Sequence, residues 1–400
     1  LNIILVYKED YPWDVRVEKL ALALTEQGHS VTIVSRNMDQ RPVREPSDNV
    51  TLRRLPGFRL FPFFLRKTLN FPLWFSPIWL FAIFQAVRQE NADVIIVRDL
   101  PLVKSALILK RLFGTKVVLD MAEVYPEMYA SSAQFSDKST IQRLLKSPKI
   151  AERYESAVLP RLDHTLVMIE ESHDRLLKKS IAKERVTIVS NTPPTDKFGG
   201  LVHQHTGTTL RLVYVGFLTE LRGLDLLIRA VAQYISRGNA ADSIKVDIVG
   251  KGASKPKLEN LVTELGVERS VTIHGWLDHE RVNELMAAAN IGALTYRVCG
   301  HWNHTIPNKI FDYMLSGLPV LATEVIPIKR IIDETQCGVV CQDLDPADIA
   351  AKLEYLRTPE IRESLGTNGY RAVLRKYNWE SEKARLEKVM SSLAVDPNTI

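Results

Sequence analysis

The 400-residue chain predicts an α/β protein made of two doubly wound domains in series. Short β-branched runs alternate with amphipathic helical stretches along its length, the pattern of βαβ units and a parallel sheet. The rhythm pauses once, in a polar and turn-rich stretch after residue 190, and then restarts. A single core seldom organises more than about 200 residues, so two domains are the natural division.

In the first half the expected strands are Ile3–Tyr7, Val31–Ser35, Thr51–Leu55, Val94–Val97, Val117–Leu119, Thr165–Ile169 and Val186–Val189. Helical periodicity fills most gaps, as in Val15–Gln27 and Leu102–Leu112. The run Asn191-Thr-Pro-Pro194, with Gly199-Gly200 and His203-Gln-His-Thr-Gly207 after it, reads as a linker. Beyond it come Leu210–Val215, Val246–Val249, Val271–His274, Gly292–Leu294, Pro319–Ala322 and Val339–Cys341, then a helical tail from Ala347 to about Leu393. The expected domains are residues 1–192 and 193–376, with residues 377–400 forming a helix that returns toward the first domain. In doubly wound sheets ligands bind outside the carboxyl ends of the strands, which directs the search for a site.

Composition narrows the class. Hydrophobic residues at 46% and charged residues at 25% are values of a globular protein. The net charge of +5, from 52 basic against 47 acidic residues, is too small for a dedicated nucleic-acid binder. Three cysteines, Cys299, Cys337 and Cys341, cannot make a disulfide framework and lack C-x-x-C spacing, which fits a reducing, cytoplasmic setting; Cys337 and Cys341 flank a strand-like Gly-Val-Val and read as small buried hydrophobes. The chain opens on a strand with no charged-then-apolar leader, which fits the same location.

One stretch departs from the rhythm. Phe58–Gln89 holds Phe58, Phe61, Phe63, Phe64, Phe71, Trp74, Phe75, Trp79, Phe81 and Phe84, with Arg59, Arg66 and Lys67 interleaved. Its longest apolar run, Phe71–Phe84, falls short of the roughly 20 residues of a spanning helix and contains Pro72 and Pro77. Such a stretch suits a surface lying at a bilayer interface, or a core helix with a packed loop.

Three segments of the second half suggest chemistry. Val213-Tyr-Val-Gly216 is a strand ending in glycine, followed by Phe217–Leu221, Arg222-Gly223 and a helix. A glycine turn leading to a helix start can receive an anion, and Arg222 adds a fixed charge. Gly250-Lys-Gly252 after the next strand suits either close approach to a ligand or a plain tight turn. The third, Thr305-Ile-Pro-Asn-Lys-Ile-Phe-Asp-Tyr-Met-Leu-Ser-Gly-Leu-Pro-Val-Leu-Ala-Thr323, carries the most information. Pro307 stands where a helix begins, Lys309 in its first turn, Asp312 three residues on, and Ser316-Gly317 at its end. A cation there is electrostatically uncomfortable unless an anion binds, and a carboxylate at Asp312 suits two adjacent sugar hydroxyls. A surface Lys–Asp pair is the plain alternative. Asp343 and Asp345, an Asp-x-Asp before Pro346, read as a turn and helix cap.

The segment from Pro307 to Thr323 closely resembles the donor-binding helix of retaining glycosyltransferases of the family-4 type, which have the GT-B fold of two Rossmann-like domains facing across a cleft. Asp14–Val31, Asp93–Leu100, Lys116–Glu127, the Asn191 region, Gly216–Arg222 and His274-Gly-Trp276 are similar to the same family in order and spacing. The resemblance implies transfer of a sugar from a nucleoside diphosphate sugar, UDP-linked by expectation. It also implies retention at the anomeric carbon and no cofactor or metal. By position, Arg222 would hold the donor diphosphate, Asn308 and Lys309 would lie near the phosphates, and Asp312 would bind the ribose. Gly216, Phe217, Gly250 and His304 complete the expected donor side. The chain departs from the family at His304, where a Glu is usual, at Phe217, where a basic residue is usual, and at Ala122, where a His is frequent.

The departing diphosphate carries at least two negative charges while the sugar becomes oxocarbenium-like, so preorganised cations are the expected catalytic device, here Arg222 and Lys309. The acceptor is expected on the first domain at Asp14, Asp99, Asp120 and Glu123, with Asp120 or Glu123 able to orient or deprotonate a hydroxyl. With Phe58–Gln89 on that domain, a lipid-linked glycan approached from the inner membrane face is expected, as in bacterial polysaccharide or lipopolysaccharide assembly. A nucleotide-sugar epimerase of the same fold and a catalytically silent nucleotide-sugar-binding protein are the alternatives.

Overall fold

A computed structural model describes residues 1–12, 14–47, 50–57, 62–63, 74–134, 146–197 and 207–394. The chain divides into two compact units: residues 1–130, 138–191 and 382–400 in the first, 131–137 and 192–381 in the second.

The first unit is built on β1 (Asn2–Asp10), β2 (Ser30–Arg36), β3 (Arg44–Ser47), β4 (Val50–Arg54), β5 (Val94–Arg98), β6 (Lys116–Met121), β7 (His164–Val167) and β8 (Val186–Ile188). Their order across the sheet is β3-β4-β2-β1-β5-β6-β7-β8. Ile3 to Val6 and Val94 to Val97 are buried, because helices cover both faces and the strands read as continuous apolar runs rather than alternating ones. Ile3 sits beside Val31 on one side and Val94 on the other, both in parallel register. The chain leaves β1 in opposite directions for β2 and for β5, which places the topological switch point between β1 and β5. β3 was not expected from sequence, since Arg-Glu-Pro-Ser reads as loop. It pairs antiparallel to β4 at the sheet edge, where proline is tolerated.

The second sheet is wholly parallel, in the order β11-β10-β9-β12-β13-β14. Its strands are β9 (Leu210–Val215), β10 (Ile244–Val249), β11 (Val271–Gly275), β12 (Ile291–Leu294), β13 (Val320–Thr323) and β14 (Gly338–Cys341). Here the switch point lies between β9 and β12. A helix spans Lys309–Leu315, and Gly292 of β12 receives the ring of its Tyr313. A Cβ on Gly292 would stand 2.3 Å from that ring, so only glycine lets the helix sit this close. The amide of Val215 also donates to Tyr313 Oη at 3.3 Å. Tyr313 thereby fixes the height and rotation of its neighbour Asp312.

The tail comprises Pro346–Tyr355, Pro359–Arg375 and Trp379–Ala394. Asp345 caps the first of these, accepting from the amides of Ala347 and Asp348 at 2.9 and 3.1 Å. Residues 382–394 pack within the first unit. There Glu382 accepts from the Ser190 amide at 3.0 Å, and Lys383 O accepts from Gln27 at 3.3 Å. All three cysteines are buried, and burial pushes the thiols of Cys337 and Cys341 up to about 11 and about 12.

Candidate active site

In the second unit β9 ends at Val215 and hands over to Gly216. The Gly216 amide donates to Val249 O at 2.9 Å, the Leu218 amide to Lys251 O at 2.9 Å, and the Gly250 amide to Gly275 O at 2.7 Å. A Cβ on Gly250 would stand 1.7 Å from Gly216 O, and one on Gly252 2.1 Å from Leu218 O. These glycines are therefore explained by the close packing of two loops. Backbone carbonyls thus take the Gly216 and Gly250 amides, and the Gly250-Lys-Gly252 segment forms a tight turn against the loop after Gly216. Phe217 is 60% exposed, and its carbonyl accepts from Tyr214 Oη at 2.8 Å.

Arg222 follows in a short turn at the switch point, half-buried. Its guanidinium carbon lies 4.6 Å from the centroid of Tyr296 and 4.4 Å from that of Trp302. The two rings are 4.7 Å apart at 54°, so the three groups form a triangular notch with both rings on one side of the cation. Gly223 has φ +60°, and a Cβ there would stand 1.9 Å from Thr295 O. Nothing in the sequence joins Arg222 to Tyr296 and Trp302. They meet because β9 and β12 are neighbours.

His301 packs its ring 4.3 Å from that of Trp302. Burial, with Arg222 adding to it, pushes His301 from its ordinary 6.5 down to about 4. His164, buried in β7, is likewise pushed down to about 4 by burial and then by Arg185. Both stay neutral in the folded chain while the unfolded chain protonates them, so they stabilise the fold above about pH 6.5. That contribution is lost as pH falls toward about 4, on the order of 3 kcal/mol for each ring. Thermal melting followed from pH 7.5 to 4.5 is expected to drop steeply, and His301→Gln to flatten that drop. An equally steep drop in His301→Gln would contradict the assignment for that ring. His304 turns Nδ1 to Gly300 O at 2.9 Å.

In the helix Lys309–Leu315, Asp312 is only 5% exposed and receives two lysines. Lys309 Nζ lies 3.0 Å from Oδ2, and Lys197 Nζ, from the segment after Pro194, lies 2.6 Å from Oδ1. Burial alone would raise the Asp312 pKa, but Lys309 and Lys197 outweigh it and hold the carboxyl below its usual range. The i, i+3 pair thus forms, and it relieves the discomfort that the sequence left at Lys309. Lys197 had no sequence signal, since it lies outside every motif. The three side chains carry a net positive charge, with Asn308 exposed beside them.

In the first unit, the carboxyl ends of β1, β5 and β6 gather Lys8, Arg98, Asp99 and Asp120. Asp14 caps the helix Val15–Glu26, accepting from the Arg16 and Val17 amides at 2.9 and 3.1 Å, and lies 3.4 Å from Arg98. Asp99 adopts φ +68°, a strained position for a non-glycine residue, and pairs with Arg98 at 2.9 Å and Lys8 at 3.5 Å. Burial would lower the Arg98 pKa, but Asp99, Asp120, Asp14 and Glu123 outweigh it and raise it. Asp120 needs correction. It is fully buried, with Arg16 Nε 2.9 Å from each carboxylate oxygen, so it anchors Arg16 and does not face an acceptor. Glu123 remains half-buried at the strand end.

The aromatic stretch also sorts differently. Phe58, Arg59, Phe61, Phe64, Arg66, Lys67 and Phe71 lie outside the described residues. Trp79 is fully buried in the core, and Trp74 packs 4.8 Å from Tyr154 and 6.2 Å from both Tyr125 and Tyr129. These two tryptophans are therefore packing residues. Phe63, Phe75 and Phe81 are exposed, and Phe81 shares a groove with Leu109 and the exposed Leu112. Among the described residues, no helix is long and apolar enough to cross a membrane.

Comparison with known proteins gives two domain families. Residues 14–192 match the family described as glycosyl transferase 4-like domain, and residues 209–358 match glycosyl transferases group 1. The chain is 26% identical over 168 residues to alpha-D-kanosaminyltransferase of Streptomyces kanamyceticus, a match covering 42% of each protein. It therefore spans less than half the length of this relative. In fold it is similar to sucrose-phosphate synthase of Thermosynechococcus elongatus, with TM-score 0.78, 19% identity and 98% of each chain covered. It is also similar to Anabaena HepE solved in complex with UDP, with TM-score 0.69, 14% identity, and 98% and 100% of the chains covered.

Proposed function

Because the chain belongs over both halves to the family-4-type glycosyltransferases, with GT-B structural neighbours, we propose that it moves a sugar from a UDP-linked donor to an acceptor hydroxyl. Retention at the anomeric carbon and a metal-independent mechanism belong to this reading. The observation that carries it is Arg222, held against two rings at the switch point of the second sheet. The UDP bound by HepE supports the choice of nucleotide. Arg222 and Lys309 stabilise charge on the departing diphosphate, and Asp312 receives the ribose hydroxyls. Gly216, Phe217, Gly250, His304 and Asn308 border the same donor. On the first unit Asp14 and Asp99 orient the acceptor, and Glu123, now preferred to Asp120, takes its proton. Thermal-shift screening of UDP, GDP and ADP should give a clear stabilisation by UDP. Release of UDP from UDP-sugars should then depend on added acceptor. Stereoisomer formation from the donor alone would turn the reading toward an epimerase, and UDP binding without turnover across a broad panel toward a silent binding protein.

The acceptor in this reading is a lipid-linked glycan of bacterial polysaccharide or lipopolysaccharide assembly, met at the cytoplasmic face of the cell membrane. Its support is a set of exposed apolar side chains, Phe75, Phe81, Leu112 and Phe113, of which Phe81 and Leu112 line one groove, with Lys104 over Phe75 at 5.5 Å. The protein should co-sediment with phosphatidylglycerol-rich vesicles, and the paired substitution Phe81→Ser and Leu112→Ser should release it. Equal sedimentation of the variant and the wild type would remove this groove from the proposal.

A further inference from the structure

We propose that Tyr296 and Trp302 are positioning residues for sugar transfer, a two-ring bracket that sets the Arg222 guanidinium where it meets the donor diphosphate. The inference rests on the reading of Arg222 as a donor residue and goes beyond it, to the groups that aim that residue. Both rings lie within cation–π distance of the guanidinium carbon, at 4.6 and 4.4 Å, and both are nearly buried, with 2% and 6% exposure.

The bracket is tied to the turn that carries Arg222. Trp302 Nε1 donates to Leu221 O at 3.2 Å, the Arg297 amide donates to the same carbonyl at 3.1 Å, and Thr295 Oγ1 donates to Arg222 O at 3.4 Å. Gly223 brings the turn close enough for these bonds, its missing Cβ leaving room for Thr295 O. Thr323 at the end of β13 holds the Tyr296 carbonyl through its hydroxyl. The turn after β9 and the segment after β12 therefore behave as one piece, with the guanidinium in the notch between them.

A carboxylate holds a cation by cancelling charge, whereas a ring face holds it through the quadrupole of its π-system and adds no formal charge. Tyr296 and Trp302 act on Arg222 in this second way. Contact with two rings fixes the attitude of the guanidinium, and with it the direction of its planar fork of donors. Position is thus set in advance of binding, the condition under which a charge stabilises a leaving group most effectively.

The test compares wild type with Trp302→Leu, Trp302→Phe, Tyr296→Leu and Arg222→Ala, each checked for a cooperative melt. For each, the affinities for UDP and for uridine are measured. Trp302→Leu and Tyr296→Leu should weaken UDP by about tenfold, comparable to the cost of ordering one long side chain on binding, while leaving uridine unchanged. Trp302→Phe, which keeps a ring face, should recover most of the loss. A purely structural role would instead weaken both ligands together or neither, and either result overturns the proposal. So does failure of Trp302→Phe to recover UDP affinity while its melt matches wild type. Should Trp302→Leu not fold, Tyr296→Leu carries the test. Arg222→Ala separates the two levels. If it leaves UDP affinity intact, the donor reading of Arg222 falls and the bracket with it. If it loses UDP while the ring variants bind normally, only the bracket falls.

Discussion

Arg222→Ala is expected to lower transfer turnover by about two to three orders of magnitude, the effect of removing one preorganised donor from a developing oxyanion. The reasoning starts from charge. A diphosphate leaving a sugar gains charge as the glycosidic bond breaks, so a cation already in place lowers the barrier more than one that must reorganise. Arg222 is held against Tyr296 and Trp302 at 4.6 and 4.4 Å, and Lys309 lies 3.0 Å from Asp312 beside a second cation, Lys197, at 2.6 Å. Lys309→Ala should cost less than Arg222→Ala, because Lys197 remains next to the same carboxylate. Initial rates with a UDP-sugar and acceptor measure both, beside melting curves showing that the variants are folded. Wild-type turnover in Arg222→Ala would sink the leaving-group assignment.

Asp120→Ala is expected to destabilise the first unit by about 3–5 kcal/mol, because it leaves a buried cation without its counter-charge. The Arg16 side chain is 1% exposed and Asp120 is fully buried, with Arg98 Nε a further 3.5 Å from the same carboxylate. Removing Asp120 takes the carboxylate from the buried Arg16 guanidinium, while Arg98 keeps Asp99 at 2.9 Å and Asp14 at 3.4 Å. The double change Asp120→Leu with Arg16→Met should recover much of the loss, since replacing a buried pair by apolar groups is often close to neutral. Chemical denaturation read by circular dichroism distinguishes the single from the double variant. A single variant as stable as wild type would mean that Asp120 is not a structural anchor, and would reopen it as an acceptor residue.

Much of the architecture was legible from local pattern. The apolar runs from Ile3 to Val6 and from Val94 to Val97 mark central parallel strands, because both of their faces are covered. Asp345 before Pro346 announced a cap, and the Pro307, Lys309, Asp312 and Gly317 spacing marked the limits of one short helix. β3 was missed because proline is a poor strand signal, and the edge position that excuses it is not written locally.

The candidate site was legible only in part. Sequence placed Arg222, Lys309 and Asp312 near strand ends, and those positions follow from chain order. It could not show that Lys197 reaches Asp312, that Trp302 meets Arg222 across 80 positions, or that Trp79 faces the core while Phe81 faces out. Nor could it show that Arg16 closes over Asp120, 104 residues away.

What the sequence determined by itself is the alternation of strands and helices, the ends of several helices and the residues at the strand tips, all of which depend on neighbours within a turn or two. What only the tertiary structure decided is which of those residues touch. Ion pairs and ring contacts act over a few ångströms, and that proximity is created by the lateral order of strands such as β9 beside β12, which no local stretch of the chain encodes.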